Sequence, residues 1–229
     1  KDTFAAKTIR LLCGFFFHVP GCWIYFRRMK ELVFATHNEH KVLEIQAVLG
    51  DEFRIMSLHK VGFSDEIPED RHTLEGNASQ KAEYVYERLG MDCFADDTGL
   101  EVAALDGAPG VFSARYAEIS NEVKQGETIP DANMRKLLKQ LEGIHERRAL
   151  FRTVIVLIIS GKQYTFEGVV EGTILSLKKG TGGFGYDPVF LPNGYGKTFA
   201  EMSLKEKNKI SHRSRAVLKL ADFLKNYPE

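Results

Sequence analysis

Leu32-Val33-Phe34-Ala35-Thr36-His37-Asn38-Glu39-His40-Lys41, running on to Leu49-Gly50, reads as one strand–junction–helix unit. Leu32 to Ala35 is an apolar run of the length of a buried strand. From Glu39 to Leu49 the apolar positions Val42, Ile45 and Leu49 recur at helical spacing, and Gly50 supplies the stop. The alternation repeats downstream. Phe53 to Leu58 is a second strand, and Thr73 to Leu89 is a helix with Ala78, Ala82, Val85 and Leu89 on one stripe, stopped at Gly90. Cys93 to Ala95 is a short third strand. Ala132 to Leu141 is another amphipathic helix. Leu150 to Ser160 turns at Gly161-Lys162 into Gln163 to Val170, a hairpin whose β character continues to Leu177. Lys178 to Gly196 is glycine-rich and reads as loop. Ser203 to Glu206 is a capping box, and Arg213 to Asn226 is a closing helix. Strands alternating with helices, plus a long antiparallel element, predict an α/β fold. No repeat and no long linker divides residues 29–229, which read as a single domain.

The chain has 229 residues, 44% of them hydrophobic and 27% charged, ordinary values for a globular protein. Lys plus Arg and Asp plus Glu are both 31, so no basic excess points to a nucleic-acid polymer and no acidic block to a disordered tail. Cys13, Cys22 and Cys93 form neither a metal-ligand spacing nor an even disulfide framework, which fits a reducing, cytoplasmic setting. Asn77-Ala78-Ser79 matches a glycosylation acceptor that such a setting would leave unused. Residues 1–28 look foreign to the rest. Leu11 to Phe26 is apolar but interrupted by Gly14, Pro20 and Gly21, too broken for a membrane helix of roughly 20 residues. It also lacks a small-residue cleavage site. We expect Met29 to be the natural start, with the preceding segment an extension outside the fold.

Four stretches carry candidate chemistry. Thr36 to Lys41 joins the first strand to its helix, where free backbone N–H groups favour phosphate. Thr36, Asn38 and Lys41 add a hydroxyl, an amide and a cation. The flanking His37 and His40 have no partnered metal spacing. Phe94-Ala95-Asp96-Asp97-Thr98-Gly99 sets two carboxylates side by side before a Thr-Gly turn. Alone, that pair reads as a solvated turn, because like charges repel and burial disfavours both ions. Gly180-Thr181-Gly182-Gly183-Phe184-Gly185-Tyr186-Asp187-Pro188 formally contains G-x-G-x-x-G, but Tyr-Asp-Pro follows where a dinucleotide fold needs a helix. Gly196-Lys197-Thr198 imitates the end of a Walker P-loop, yet Leu191 stands where its first glycine belongs. What remains is a glycine loop with two aromatics, suited to holding a flat ring. Ser211-His212-Arg213 opens the last helix with several donors.

Taken in order, these stretches resemble the inosine/xanthosine triphosphate pyrophosphatase family. Its pattern A-T-x-N-x-x-K stands at Ala35 to Lys41 and N-A-x-x-K-A at Asn77 to Ala82. A-D-D-[ST]-G-L-x-V stands at Ala95 to Val102, and G-x-P-G-[VI]-x-S-A-R-[YF] at Gly107 to Tyr116. G-F-G-Y-D-P-x-F stands at Gly183 to Phe190 and S-H-R-x-x-A at Ser211 to Ala216. The resemblance spans about residues 30 to 225. It implies a mixed, elongated central sheet flanked by helices, two lobes with a nucleotide cleft between them, and a homodimer. The implied reaction hydrolyses ITP, dITP and XTP to monophosphate and pyrophosphate, with Mg²⁺ or Mn²⁺ as cofactor.

By the same resemblance Asp97 is proton acceptor and metal ligand, with Asp96 in support. Thr36, His37, Asn38, Glu39, His40, Lys41, Lys81 and Thr98 form the phosphate side. Phe184, Gly185, Tyr186, Asp187, Lys207, His212 and Arg213 form the base side. The metal-site glutamate that precedes the Asn in relatives is Gly76 here, so Glu75 is the expected substitute. Two other readings are a related pyrophosphatase for modified pyrimidine or methylated nucleotides, and a nucleotide-binding module without catalysis. A membrane-linked role would rest on residues 1–28 alone.

Overall fold

The computed structural model describes residues 16–19, 22–25 and 30–228. Strands β1 (Phe16–Val19) and β2 (Cys22–Tyr25) pair with each other as a separate antiparallel hairpin. The remainder of residues 1–28, and with it most of the expected extension, lies outside the described residues.

The main sheet has seven strands. Its path runs β4 (Phe53–Ser57), β3 (Lys30–Phe34), β5 (Cys93–Val102), β7 (Arg148–Ile159), β8 (Lys162–Ile174) and β9 (Phe190–Pro192), with β6 (Pro109–Gly110) on β5. The β4, β3 and β5 pairings are parallel and the rest antiparallel, so the sheet is mixed. Helices α1 (Glu39–Leu49), α2 (Leu74–Leu89), α3 (Ile129–Gln140), α4 (Leu204–Lys207) and α5 (His212–Asn226) flank it.

Period-two alternation divides the side chains of β5 and β7 between the two faces. On one face α1 and α5 cover Leu32, Phe34, Phe94, Ile155 and Leu157. On the other, α2 lays Leu74, Ala78, Ala82 and Val85 against Val33, Ala95, Val154 and Val156. A further cluster joins Leu100, Val102 and Phe151 to α3 and to Val189, Phe190 and Phe199. Helix α5 lies directly on β8. A Cβ at Gly168 would stand 2.0 Å from the His212 carbonyl oxygen, so only glycine allows this approach.

Two departures from the sequence reading matter. The strand expected to stop at Ala95 continues to Val102, carrying Asp96 and Asp97 in mid-strand, because β7 pairs with it along its whole length. Thr98-Gly99 is therefore extended rather than a turn. A Cβ at Gly99 would meet the Gly110 carbonyl oxygen at 2.7 Å, which explains the glycine by close approach to β6. The region expected as loop from Lys178 to Gly196 contributes β9, which adds an edge to β8 opposite Gly172 to Ile174.

Candidate active site

The site lies where β5 loses a neighbour. Strand β3 pairs with it only at Cys93 and Phe94, and β6 joins it only at Leu100 and Glu101. Between these, residues 95–99 keep β7 on one side and present their other edge to the β3–α1 junction and to α2.

Asp96 and Asp97 point to opposite faces at this edge, and each meets its own cations. Asp96 Oδ1 accepts from Lys41 Nζ at 2.6 Å, while Oδ2 accepts from Arg213 Nε at 3.2 Å. Burial alone would raise this carboxyl, but Lys41, Arg213 and Lys81 outweigh it and hold Asp96 far below the usual carboxylate range. Asp97 Oδ1 accepts from Lys81 Nζ at 3.1 Å and Oδ2 from Asn77 Nδ2 at 3.3 Å. Here burial wins over Lys81 and Lys41, and the carboxyl is raised. Neighbours in sequence thus differ in proton affinity, because each faces a different set of charges.

Lys81 is 4% exposed and also donates to Glu69 Oε1 at 2.8 Å. Asn77 Oδ1 accepts from Arg71 N at 2.9 Å, and Arg115 Nη2 donates to the Glu69 carbonyl at 3.0 Å. These bonds fix the 69–71 segment beside Asp97. Glu75, the residue expected there, lies elsewhere. It pairs with Arg152 Nη1, whose Nε binds Glu101 Oε1 at 2.9 Å. At 100° per residue, Glu75 sits far around α2 from Asn77 and Lys81, so the helix that aims those two at Asp97 turns Glu75 away.

At the β3–α1 junction, Asn38 caps α1 by accepting from the His40 and Lys41 N–H groups at 3.0 and 3.3 Å. Thr36 Oγ1 accepts from Asn38 N at 3.1 Å, and His37 Nε2 contacts the Asp65 carbonyl at 3.0 Å. Glu39 and His40 are exposed in the first turn. The junction is thus organised by its own polar side chains, with Lys41 the one that reaches into the sheet.

On the other side of Asp96 a chain of buried ion pairs begins. Arg213 also binds Glu44, which accepts from Lys207 Nζ at 3.1 Å. Lys207 continues to Asp187 Oδ2 at 2.8 Å, the oxygen that accepts the Phe184 N–H at 2.8 Å. Gly183 has φ +69°, and a Cβ there would stand 2.0 Å from Asp187 Oδ2, so glycine lets the loop wrap this carboxylate. Gly185 follows with φ +62°. Phe184 is 38% exposed, its ring 4.5 Å from Lys207 Nζ and 5.3 Å from Arg213 Cζ. Tyr186 is buried instead and donates to the Ser113 carbonyl at 3.0 Å. Of the two aromatics expected to line a ring, Phe184 offers a free face and Tyr186 anchors the loop. Thr98 Oγ1 lies 2.7 Å from Thr153 Oγ1 on the Asp96 face.

His212 stacks on Phe151 at 4.6 Å, and its Nδ1 is the one buried side-chain N or O atom among the described residues with no hydrogen-bond partner. Burial first, then Arg213 and Lys207, holds its pKa well below 6.5. An unfolded imidazole takes up a proton as pH falls through about 6.5 while the native one does not, so stability falls below that pH. Urea unfolding between pH 7.5 and 5.5 will show this loss, and His212→Asn will remove up to about 1.4 kcal/mol per pH unit of it. An unchanged slope in the variant would contradict this origin.

This geometry can be set against known proteins. The Ham1 family profile matches residues 32–223, which takes in every residue of the site. The chain belongs to the Ham1 family. A dITP/XTP pyrophosphatase of Porphyromonas gingivalis is 54% identical over 198 residues, covering 86% of this chain and 98% of its own length. One of Flavobacterium psychrophilum is 52% identical over 197 residues, covering 86% and 100%. Among solved structures, a Ham1 protein of Staphylococcus aureus gives a TM-score of 0.74 at 36% identity, covering 86% of this chain and 98% of its own. One from Coxiella burnetii gives 0.76 at 36%, covering 87% and 100%. In this Ham1 chain Glu69 and Glu44 escaped the sequence reading. Glu44 had a signal, since it stands three residues after Lys41 and beside Ile45 on the covered face of α1. Glu69 had none, because it sits in a segment without regular structure.

Proposed function

We propose that this chain hydrolyses the non-standard purine nucleoside triphosphates ITP, dITP and XTP to monophosphate and pyrophosphate. The observation that carries the reading is Asp97. It is a nearly buried carboxylate at an open strand edge, with raised proton affinity and a fixed setting of Asn77, Lys81 and Glu69. Such a group suits proton removal from a water attacking the α-phosphorus. Lys41, Lys81 and the N-terminus of α1 form the side proposed for the phosphates, and Thr98 adds a hydroxyl. The names of the Porphyromonas and Flavobacterium relatives support the same substrate class.

The donor set fits a divalent cation. Among the described residues no group of three or more His, Cys, Asp or Glu is arranged to hold a metal ion. Asp97 and Glu69 still bring two hard oxygen donors to one ammonium group, and Mg²⁺ is commonly held by one or two carboxylates plus phosphate and water. Lys41, Lys81, Lys207 and Arg213 each already face a carboxylate, so a triphosphate must bring added positive charge with it. Asp97 and Glu69 would hold Mg²⁺ or Mn²⁺, which supplies neutralisation of phosphate charge.

Base selection follows from donors. A 6-oxo group accepts where the 6-amino group of adenine donates. Arg213 lies 5.3 Å from the exposed Phe184 ring, and His212 beside it in sequence has an unpartnered Nδ1; these are the groups proposed to feel that difference. A donor facing a donor costs on the order of 1–3 kcal/mol. The working form in this reading is a cytoplasmic homodimer, without a nucleic-acid polymer or a membrane as partner. No helix among the described residues is long and apolar enough to cross a membrane.

The test is pyrophosphate release from ITP, dITP and XTP against the four standard triphosphates, with and without Mg²⁺. We expect kcat/KM for ITP to exceed that for ATP by about tenfold or more. Equal turnover of ATP would defeat the specificity, and preference for a modified pyrimidine or methylated nucleotide would transfer the chain to the related class.

A further inference from the structure

Lys81 holds an unusual position for a residue assigned only to phosphate. Its Nζ lies 2.8 Å from Glu69 Oε1 and 3.1 Å from Asp97 Oδ1, and its stem is enclosed by α2 and the sheet. The two carboxylates that fit a divalent cation are therefore already joined by a cation of the chain itself. Glu69 is 38% exposed on its side chain and Asp97 12%, so both oxygens remain within reach of solvent ions. Their backbones are pinned independently of Lys81, Glu69 by Arg115 and Asp97 by β7. Removing the ammonium would leave two anions close together and still in place.

We propose that Lys81 is a resident counter-ion that blocks the Glu69–Asp97 pair from free divalent cations and yields it only when a polyphosphate draws the ammonium away. This rests on the metal reading given above and adds an order to it. The cation binds with the nucleotide as a unit and not before it. The physical basis is competition for the same oxygens. A lysine on four methylene groups can swing a few ångströms toward phosphate, whereas a bound metal and an ammonium at this spacing repel each other.

The test measures Mn²⁺ binding directly, by electron paramagnetic resonance of free Mn²⁺ in the absence of nucleotide. The full chain should bind Mn²⁺ weakly, and Lys81→Met should bind it about tenfold more tightly or better. Lys81→Arg, which keeps the charge, should stay weak. Glu69→Gln placed on Lys81→Met should lose the gain, which ties the effect to this pair. Thermal unfolding of each variant without metal checks that the fold is retained. Lys81→Met binding Mn²⁺ no better than the unaltered chain would overturn the proposal, as would tight Mn²⁺ binding by the unaltered chain without nucleotide. Failure of the metal reading gives a different result. In that case free Mn²⁺ in the presence of ITP would be the same with every variant as with ITP alone, and hydrolysis would not depend on a divalent cation.

Discussion

Asp97→Asn lowers kcat for ITP by about a thousandfold or more while nucleotide still binds. The expectation rests on the two bonds that fix this side chain. Lys81 and Asn77 both donate to it, so an amide, with one acceptor and one donor end, can satisfy only one of them. It also cannot take a proton. The fold should survive, because Lys81 keeps Glu69 as a partner and the carboxyl that is lost was destabilised by burial. Single-turnover assays with equilibrium binding of ITP separate the two effects. Turnover within about tenfold of the unaltered chain would remove Asp97 from the chemistry. A chain that only binds nucleotide would instead show no turnover to lose, with or without the substitution.

The second large effect is structural first and functional second. Arg213 is 2% exposed and joins Asp96 to Glu44, so Arg213→Met leaves each carboxylate with a single cation, Lys41 for one and Lys207 for the other. Breaking a buried pair from one side costs about 3–5 kcal/mol. For a chain of this size that lowers Tm by roughly 10 °C. The Phe184 ring lies over Arg213 and Lys207 of this network, so the ITP to ATP ratio of kcat/KM should fall as well. Arg213→Lys keeps the charge without the two-armed fork and should fall between the two. A Tm within about one degree of the unaltered chain would show that the network does not hold the fold.

Much of the architecture was legible because it depends on local pattern. Val42, Ile45 and Leu49 gave α1, the Ala78 to Leu89 stripe gave α2, and Gly161-Lys162 gave the hairpin of β7 and β8. The segment at Ser203 to Glu206 is capped as its residues imply, with Ser203 and Glu206 bonded reciprocally to each other's backbone. Strand β9 was not legible. Phe190–Pro192 is too short to show alternation, and it becomes a strand only because β8 offers a free edge. The length of β5 was hidden for a related reason. Two adjacent aspartates argue against a strand interior unless cations wait on both faces, and those cations arrive from α1, α2 and α5.

The sequence by itself determined the succession of strands and helices, and through its ordered resemblance the family and the stretches that form the site. Tertiary structure decided how the Asp96-Asp97 pair divides. Alternation along an extended strand sends the two carboxylates to opposite faces. Asp96 meets Lys41 and Arg213 and is held ionised as part of the framework, while Asp97 meets Lys81 and Asn77 and keeps a raised proton affinity. Tertiary structure also put Glu69 rather than Glu75 beside Asp97. Helix phase and the docking of an irregular segment set that choice, and neither is written in the spacing of the residues.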